Sequence, residues 1–284
     1  MKRQKSFEKD NAKLYLVATP IGNLEDITFR AINTLKQVDI IYCEDTRTSK
    51  KLLDFYDIHT KLKSVHLYNE NDISMEIVNL VKSGSNVAII SDAGMPVISD
   101  PGWVVTKDAI ENDVDIIVIP GASACLTALV ASGITAHPFY FAGFLNSKSA
   151  KRRQELKDMY TRSETIIFYE SPHRIEETLK MLVDIYPDRR VVLARELTKK
   201  FEEFLRGTPG ELLEAVSSIK GEMVIILEGN SNPLSNVILE LNDLSIEEHF
   251  NYYIDNGIDS KEAMKMVAND RHISKKQVYE KIKK

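Results

Sequence analysis

The feature that most constrains the fold is an alternation of short apolar runs with amphipathic helical patterns between Leu14 and Gly133. The apolar runs have the length of buried strands, and apolar residues recur at helical spacing between them. The predicted strands are Leu14–Ala18, Asp39–Cys43, Leu62–Leu67, Val87–Ile90 and Val114–Ile119. Strands and helices that alternate in this way predict βα units on a largely parallel sheet.

Polar or turn-rich loops follow four of these strands. They are TPIGN (residues 19–23), EDTR (44–47), SDAGMPVISDPG (91–102) and PGAS (120–123). The third loop holds two glycines, two prolines and two aspartates, which open the backbone to a ligand while fixing the path of the chain. Because right-handed crossovers place the carboxyl ends of parallel strands on one edge, we expect these loops to line one ligand-binding crevice.

The pattern changes after Gly133, where the sequence predicts a second, mixed α+β domain. Its predicted strands lie near Phe139–Gly143, Thr165–Phe168, Arg190–Ala194, Phe201–Arg206 and Glu222–Leu227. The link between the third and fourth of these is too short for a helix, which predicts an antiparallel pair. Helices are predicted near Ala150–Tyr160, Pro172–Ile185 and Gly210–Ser217. We expect the second helix to begin with Ser171 as its cap and Pro172 at its first position.

The C-terminal segment is predicted to form three helices, and it contains an excess of basic residues. The helices are predicted at about Ile246–Asn256, Lys261–Ala268 and Lys275–Lys283, and the last two have helix-turn-helix proportions. From Ser260 onward, eight basic residues stand against three acidic residues, a local charge of +5 in a chain whose net charge is −5. A polyanionic partner and a solvated lysine-rich helix both explain this asymmetry.

These patterns divide the chain into a disordered tail (1–13), an N-terminal α/β domain (14–133), a second α/β domain (134–230) and a linker with the helical segment (231–284). No apolar run approaches the roughly 18 residues of a transmembrane helix, and the N-terminus lacks the apolar centre of a secretory signal. Cys43 and Cys125 are the two cysteines, without a CxxC motif. We therefore expect a cytoplasmic protein without a disulfide framework or a metal site.

Several common ligand motifs are absent from the sequence. It lacks the P-loop GxxxxGK[ST], the dinucleotide-binding GxGxxG, the nucleophile elbow GxSxG and the zinc motif HExxH. A small ligand without phosphates, held by backbone groups and carboxylates, is therefore favoured. S-adenosylmethionine fits this description, because backbone amides can bind its adenine and carboxylates can bind its ribose and ammonium groups.

Seven sequence blocks together identify a resemblance. They are LYLVATPIGNLEDIT, CEDTR, SDAGMPVISDPG, PGAS, FYESPHR, LARELTK and GEMVIILEG. In order and approximate spacing they resemble the tetrapyrrole methylase superfamily, and within it the branch that methylates 16S rRNA. The resemblance covers roughly Leu14 to Gly229, and the C-terminal helices are similar to that branch's helix-turn-helix appendage. Met95 and Ala122 depart from the usual threonine and proline of the pattern.

The resemblance implies a tetrapyrrole-methylase-like two-domain α/β fold and a homodimer. It also implies S-adenosylmethionine-dependent 2′-O-methylation of a decoding-centre cytidine in 16S rRNA, on the small ribosomal subunit, with S-adenosylhomocysteine as product. The implied cofactor residues are Pro20, Ile21, Asp92, Met95, Ser123, Ala124, Tyr169 and Ala194. Candidate proton acceptors are Glu44, Asp45, Glu170, His173 and Glu196. Candidate RNA-binding residues are Arg47, Lys148, Lys151, Arg152, Arg153, Arg174, Arg195, Lys275 and Lys276.

Other interpretations remain open at this point. The candidate carboxylates and arginines can instead be paired ions, and Lys148 to Arg153 can form a solvated helix face. A C-methyltransferase of tetrapyrroles and a diphthamide-pathway methyltransferase would share the fold, although neither needs a basic helical tail. A non-catalytic RNA-binding factor of the small subunit would use the basic segments alone and would not bind S-adenosylmethionine.

Overall fold

The computed structural model describes residues 1–6, 8, 10–66, 69–216, 221–231 and 241–282. Two compact units divide the chain: Met1–Leu156 with Thr165–Glu228, and Lys157–Glu164 with Gly229–Lys284. Both predicted α/β domains fall mainly within the first unit, and their division at residue 133 stays a prediction. Most of the predicted linker 231–236, and the predicted element ends at Leu67, Ser217 and Lys283, lie outside the described residues.

A parallel sheet forms from the strands predicted in the N-terminal part of the chain. Its strands are β1 (Leu14–Val17), β2 (Ile40–Cys43), β3 (Lys61–Ser64), β4 (Val87–Ile90) and β5 (Ile116–Ile119). Among the described residues their order is β3-β2-β4-β1-β5, and each pair of neighbouring strands is parallel. The carboxyl ends of β1, β2, β4 and β5 therefore lie on one edge, as the alternating pattern predicts.

Among the described residues, four helices pack against this sheet: α1 (Phe29–Gln37), α2 (Thr46–Phe55), α3 (Glu70–Lys82) and α4 (Trp103–Glu111). A 3₁₀ turn, Leu24–Asp26, precedes α1, and the next helix in the chain, α5 (Ala124–Ser132), packs against strands of the second sheet. Side chains cap three of these helices within the described chain: Thr28 caps α1, Asp45 caps α2 and Ser123 caps α5. One apolar cluster packs β1 and β4 against α3 and α4, and a second packs the same sheet against α1 and α2.

The second sheet is mixed. Its strands are β6 (Phe139–Phe144), β7 (Thr165–Glu170), β8 (Val191–Arg195), β9 (Glu203–Gly207) and β10 (Met223–Leu227). Among the described residues the order is β6-β7-β10-β8-β9, with β6 parallel to β7 and the other pairs antiparallel. The predicted antiparallel pairing of β8 with β9 is confirmed. The central strand β10 is buried along its whole length.

The helices that lie between these strands in the sequence are α6 (Ser149–Asp158), α7 (Ile175–Ile185) and α8 (Pro209–Ala215). The predicted start of α7 is wrong: the helix begins at Ile175, and residues 172–174 form a turn. The turn forms because the Glu170 carboxylate accepts the Ser171 N–H at 2.8 Å and the Arg174 Nε–H at 2.8 Å. The chain thus wraps around this carboxylate before the helix begins.

Three helices form most of the second unit: α9 (Ile246–Asp255), α10 (Ser260–Asp270) and α11 (Lys275–Ile282). A capping box of Ser245 and Glu248 begins α9, and the Asp259 side chain caps α10. Phe250, Val267 and Val278 belong to their shared apolar core. In the part of the chain that the structure describes, no helix has the length and apolar character needed to cross a membrane.

Candidate functional site

The TPIGN and SDAGMPVISDPG loops are joined by backbone hydrogen bonds. Thr19 N donates to Gly94 O at 2.9 Å, and Gly94 N donates to Thr19 O at 3.1 Å. The Thr19 hydroxyl adds a bond to Ser91 O at 3.1 Å, and the Ser91 hydroxyl donates to Gly94 O at 2.9 Å. Gly94 has a φ of +86°, a conformation that favours glycine. These bonds hold the two loops as one surface at the carboxyl edge of the first sheet.

The other two loops reach the same surface. In the EDTR loop, Asp45 N donates to Asp92 Oδ1 at 3.3 Å. In the PGAS loop, a side chain on Gly121 would come within 2.7 Å of the Ala18 Cβ, so glycine permits this close approach. The structure therefore brings the four predicted loops together.

Glu70 fixes the far end of the SDAGMPVISDPG loop. Helix α4 has no side-chain cap of its own, because Gly102 stands at its N-cap with a φ of +128°. The buried Glu70 carboxylate instead accepts N–H groups from Gly102 at 2.9 Å, Val104 at 2.8 Å and Val105 at 3.3 Å. Sequence analysis missed this role, since the capping group comes from another helix.

An apolar wall from the second sheet faces this group of loops. Ile21, Ala124, Tyr169 and Ala194, all predicted cofactor residues, pack in one apolar cluster. The Tyr169 ring makes edge contacts with Phe141 and Phe144, with ring centroids 5.0 and 5.3 Å apart. Of the other predicted cofactor residues, Pro20 is buried, Met95 and Ser123 are half-buried, and Asp92 is exposed.

Three carboxylates in the same loops, those of Glu44, Asp92 and Asp100, pair with no lysine or arginine among the described residues. Burial, and then the charges of Glu44 and Asp92, raise the pKa of Asp100 to about 7. Burial and the Asp45 charge likewise raise the pKa of Asp92, and burial and Asp92 raise the pKa of Glu44. The Asp100 charge also helps to raise the pKa of Tyr169 to about 12, after burial and Cys125. An arrangement of this kind favours a ligand that carries positive charge.

The candidate proton acceptors have different surroundings. Glu170 is buried and bonds to Arg174, Ser171 N and the Thr178 hydroxyl, the last at 2.6 Å. Glu196 accepts bonds from Lys199 Nζ at 3.1 Å and Glu222 N at 3.3 Å. Glu44 and His173 are exposed.

Asp100 was not among the predicted proton acceptors. It is half-buried and accepts no hydrogen bond from any residue that the structure describes. The one sequence signal that points to it is its place in the glycine- and proline-rich loop. Val97 and Ser99, just before it, have φ values of +77° and +67°, so the loop is held in a strained conformation.

The candidate RNA-binding residues separate into free and paired groups. Lys148, Lys151 and Lys276 are exposed, as is Lys275, whose amine donates to Lys261 O. The paired arginines are Arg47 with Asp45, Arg153 with Asp184, Arg174 with Glu170 and Arg195 with Glu203. Arg152 is fully buried against Glu177, a position in which its guanidinium is not accessible to an RNA phosphate. Among the described residues there is no group of His, Cys, Asp or Glu that could hold a metal ion.

Comparisons with known proteins agree with this architecture. The family model described as Tetrapyrrole (Corrin/Porphyrin) Methylases matches residues 13–213. A Bacillus subtilis protein called ribosomal RNA small subunit methyltransferase I is 47% identical, over 99% of this chain and 98% of its own length. This similarity extends through the C-terminal helices, beyond the residues that the family model matches.

Solved structures with the same fold are more distant in sequence. The methyltransferase CobJ superposes with a TM-score of 0.60 at 16% identity, over 78% of this chain and 95% of its own. Uroporphyrin-III C-methyl transferase from Thermus thermophilus, solved with S-adenyl homocysteine, gives 0.55 at 17% identity over 76% and 97%. At these identities the likeness shows the fold.

Proposed function

The chain belongs to the tetrapyrrole (corrin/porphyrin) methylases, and among them to the group called ribosomal RNA small subunit methyltransferase I; we propose that it methylates the ribose 2′-oxygen of a decoding-centre cytidine in 16S rRNA. S-adenosylmethionine is the methyl donor and S-adenosylhomocysteine the product. The observation that carries the proposal is the group of four loops, in which Glu44, Asp92 and Asp100 pair with no described lysine or arginine, and whose apolar wall contains Tyr169 and Ala194.

The residues of this site fit S-adenosylmethionine. The donor carries a positive sulfonium and a positive ammonium group, and Asp92, Asp100 and Glu44 supply the negative surroundings that such charges require. Apolar contact for the uncharged parts comes from Ile21 and Ala124. When bound, the donor supplies a methyl group on a good leaving group, so the chain contributes mainly alignment.

Asp100 is the proton acceptor that best fits a hydroxyl nucleophile. A carboxyl group with a pKa of about 7 is ionised in about half of the molecules at neutral pH and is basic enough to accept a proton in the transition state. Its carboxylate is not engaged by any described side chain, whereas Glu170 and Glu196 hold neighbouring backbone and basic groups. Glu44, which is exposed and close enough to influence Asp100, is the alternative acceptor.

Exposed basic residues would hold the RNA backbone. Lys148, just before α6, Lys151 on α6, and Lys275 and Lys276 on α11 are exposed and can approach phosphates. Contacts of this kind position RNA without reading its sequence, and they weaken as salt concentration rises. The proposed partner is therefore the small ribosomal subunit, which presents folded rRNA.

A homodimer in the cytoplasm completes the proposal. Leu126 and Val130 lie one turn apart on α5 and are 49% and 79% exposed, although this helix is apolar on all sides. The neighbouring edge strand β5 also exposes Val118, at 48%. A second copy of the chain would cover these apolar side chains.

The regions 14–133 and 134–230 are proposed as separate domains, each built on its own sheet.

Methyl transfer to purified small subunits tests the function. Subunits from cells that lack the enzyme would be incubated with the protein and with S-adenosylmethionine labelled in its methyl group. Digestion to nucleosides should then give labelled 2′-O-methylcytidine. Label in a base, in another nucleoside or only in a tetrapyrrole would contradict the proposal.

A further inference from the structure

A cavity of about 360 Å³ opens on the side of the loop group that faces helix α2. Pro20, Ile21 and Asp92 line it from the loops, and Leu52 and Phe55 line it from α2. Its volume lies in the range of small-ligand pockets. Met95, Ser123, Ala124, Tyr169 and Ala194 are not part of its lining. The cavity therefore adjoins the proposed cofactor wall without coinciding with it.

An aromatic side chain stands at the opening of this cavity. Phe55 lines the cavity and is 64% exposed, and Leu24, on the opposite loop, is 36% exposed. The Phe55 ring packs edge-on against Tyr56, with centroids 4.9 Å apart, and the Tyr56 hydroxyl donates to Leu24 O. These contacts fix the two sides of the opening relative to each other. An exposed aromatic ring beside a concavity offers a face on which a planar group of a ligand can stack.

The charge on helix α2 indicates which ligand fits. Lys51 lines the cavity, and Lys50 lies beside it in the sequence. Neither amine forms an ion pair or hydrogen bond with a described residue, whereas Arg47 in the same helix is paired with Asp45. Free cations next to an exposed aromatic ring match a nucleotide, which carries both a phosphate and a planar base.

We propose that this cavity receives the target nucleotide of the RNA, turned out of its helix, with its base stacked on Phe55 and its phosphate near Lys51. The inference rests on the proposed function, because it identifies where the substrate of that reaction is held. A nucleotide turned out of its stack can bring its ribose into a cleft, and RNA-binding proteins stack such splayed-out bases on aromatic rings. Asp92 lines the cavity and is also a proposed cofactor residue, so the cavity adjoins the proposed donor site.

Substitution of Phe55 tests the proposal, because it should lower kcat/KM for the RNA substrate without changing the Kd for S-adenosylmethionine. Phe55→Ala should lower kcat/KM for small subunits about 10- to 100-fold, because base stacking on an aromatic ring contributes this much. The Kd for S-adenosylmethionine, measured by calorimetry, should stay at the wild-type value and also shows that the variant is folded. Phe55→Tyr should retain activity because it keeps the ring, and Phe55→Leu should not.

The matched control is Phe139→Ala, which removes a 41%-exposed ring at the opposite end of β6 and β7 from Tyr169. We expect Phe139→Ala to leave both kcat/KM for small subunits and the Kd for S-adenosylmethionine unchanged. Full activity of Phe55→Ala or of Phe55→Leu would overturn the inference, and equal loss of cofactor affinity would assign the cavity to the cofactor. If the wild-type protein methylates no RNA, the proposed function itself fails. An active wild type with an equally active Phe55→Ala contradicts only the nucleotide cavity.

Discussion

Asp100 and Glu170 illustrate how differently the two sheets use their acidic residues. In the loops of the first sheet, Asp100 accepts no hydrogen bond from a described residue, and burial, followed by the charges of Glu44 and Asp92, raises its pKa to about 7. At the end of β7 in the second sheet, Glu170 is buried and bonded to Arg174, Ser171 N and Thr178. Both residues lie in sequence blocks typical of the family. The difference shows that membership of a block does not separate ligand-binding acids from structural ones; the partners of each carboxylate do.

The largest effect that tests this contrast is on catalysis. Asp100→Asn removes the proposed proton acceptor while nearly keeping its shape. We expect kcat to fall about 100- to 10,000-fold, the usual contribution of a general base. Wild-type kcat should rise with pH through about 7, as the carboxyl group loses its proton, and the variant should lose this dependence.

Glu44→Gln is the matched control for that experiment. Its side chain is exposed, and it acts on Asp100 only through its charge. Removal of that charge should shift the pH profile to lower pH and leave the plateau of kcat unchanged. A large loss of kcat in Glu44→Gln, together with a near-normal kcat in Asp100→Asn, would show that Glu44 is the proton acceptor and that Asp100 is not.

The corresponding effect in the second sheet is on stability. Glu170→Ala leaves Arg174 without its buried partner, and breaking a buried pair in this way costs about 3–5 kcal/mol of unfolding free energy. Urea denaturation measures the loss. The control is Glu176→Ala, because the exposed Glu176–Lys180 pair contributes about 1 kcal/mol or less. A Glu170→Ala protein with wild-type stability and no activity would show that Glu170 acts on the substrate.

Glu70→Ala should have an intermediate effect. It removes three hydrogen bonds at the start of α4, and a bond to a charged group contributes about 1.5–3 kcal/mol. Because the same bonds hold the end of the SDAGMPVISDPG loop, the Kd for S-adenosylmethionine should rise as well. Calorimetry on the folded variant checks this. A destabilised protein with unchanged cofactor affinity would show that the end of this loop does not contribute to cofactor binding.

The last expected effect is a gain in stability. The pKa of Asp100 is raised from 3.8 to about 7 on folding, so the folded wild type loses stability as pH rises across this interval. Asp100→Asn removes that loss and should unfold at a higher temperature than wild type at pH 8, with little difference at pH 4. Each kcal/mol gained should raise Tm by roughly 2–4 °C. Equal Tm values at pH 8 would mean that Asp100 is not an unfavourably placed carboxylate.

Sequence patterns predict the local parts of this molecule well. Val87–Ile90 has the predicted bounds, because a short apolar run between polar segments is a local signal. The edge at which four loops meet also follows from the order of strands and helices. In contrast, the start of α7 was predicted wrongly, because the Glu170 carboxylate determines the turn through side chains that come together only in the fold.

The same reasoning explains the limits of the site prediction. The burial of Arg152 against Glu177 joins residues 25 positions apart, and no local pattern reports it. The pKa of Asp100 depends on Glu44 and Asp92, which come from the loops after two other strand ends. The capping of α4 by Glu70 likewise spans two helices. Sequence identifies which blocks carry function, whereas the pairing of charges within them requires the tertiary structure.

The most direct test of the central claim is mass-spectrometric mapping of 16S rRNA nucleosides from cells with and without this protein. We predict that a 2′-O-methylcytidine disappears in its absence, returns with the wild-type chain and with Glu176→Ala, and does not return with Asp92→Ala or Asp100→Asn. An rRNA modification pattern that is the same with and without the protein would contradict the account.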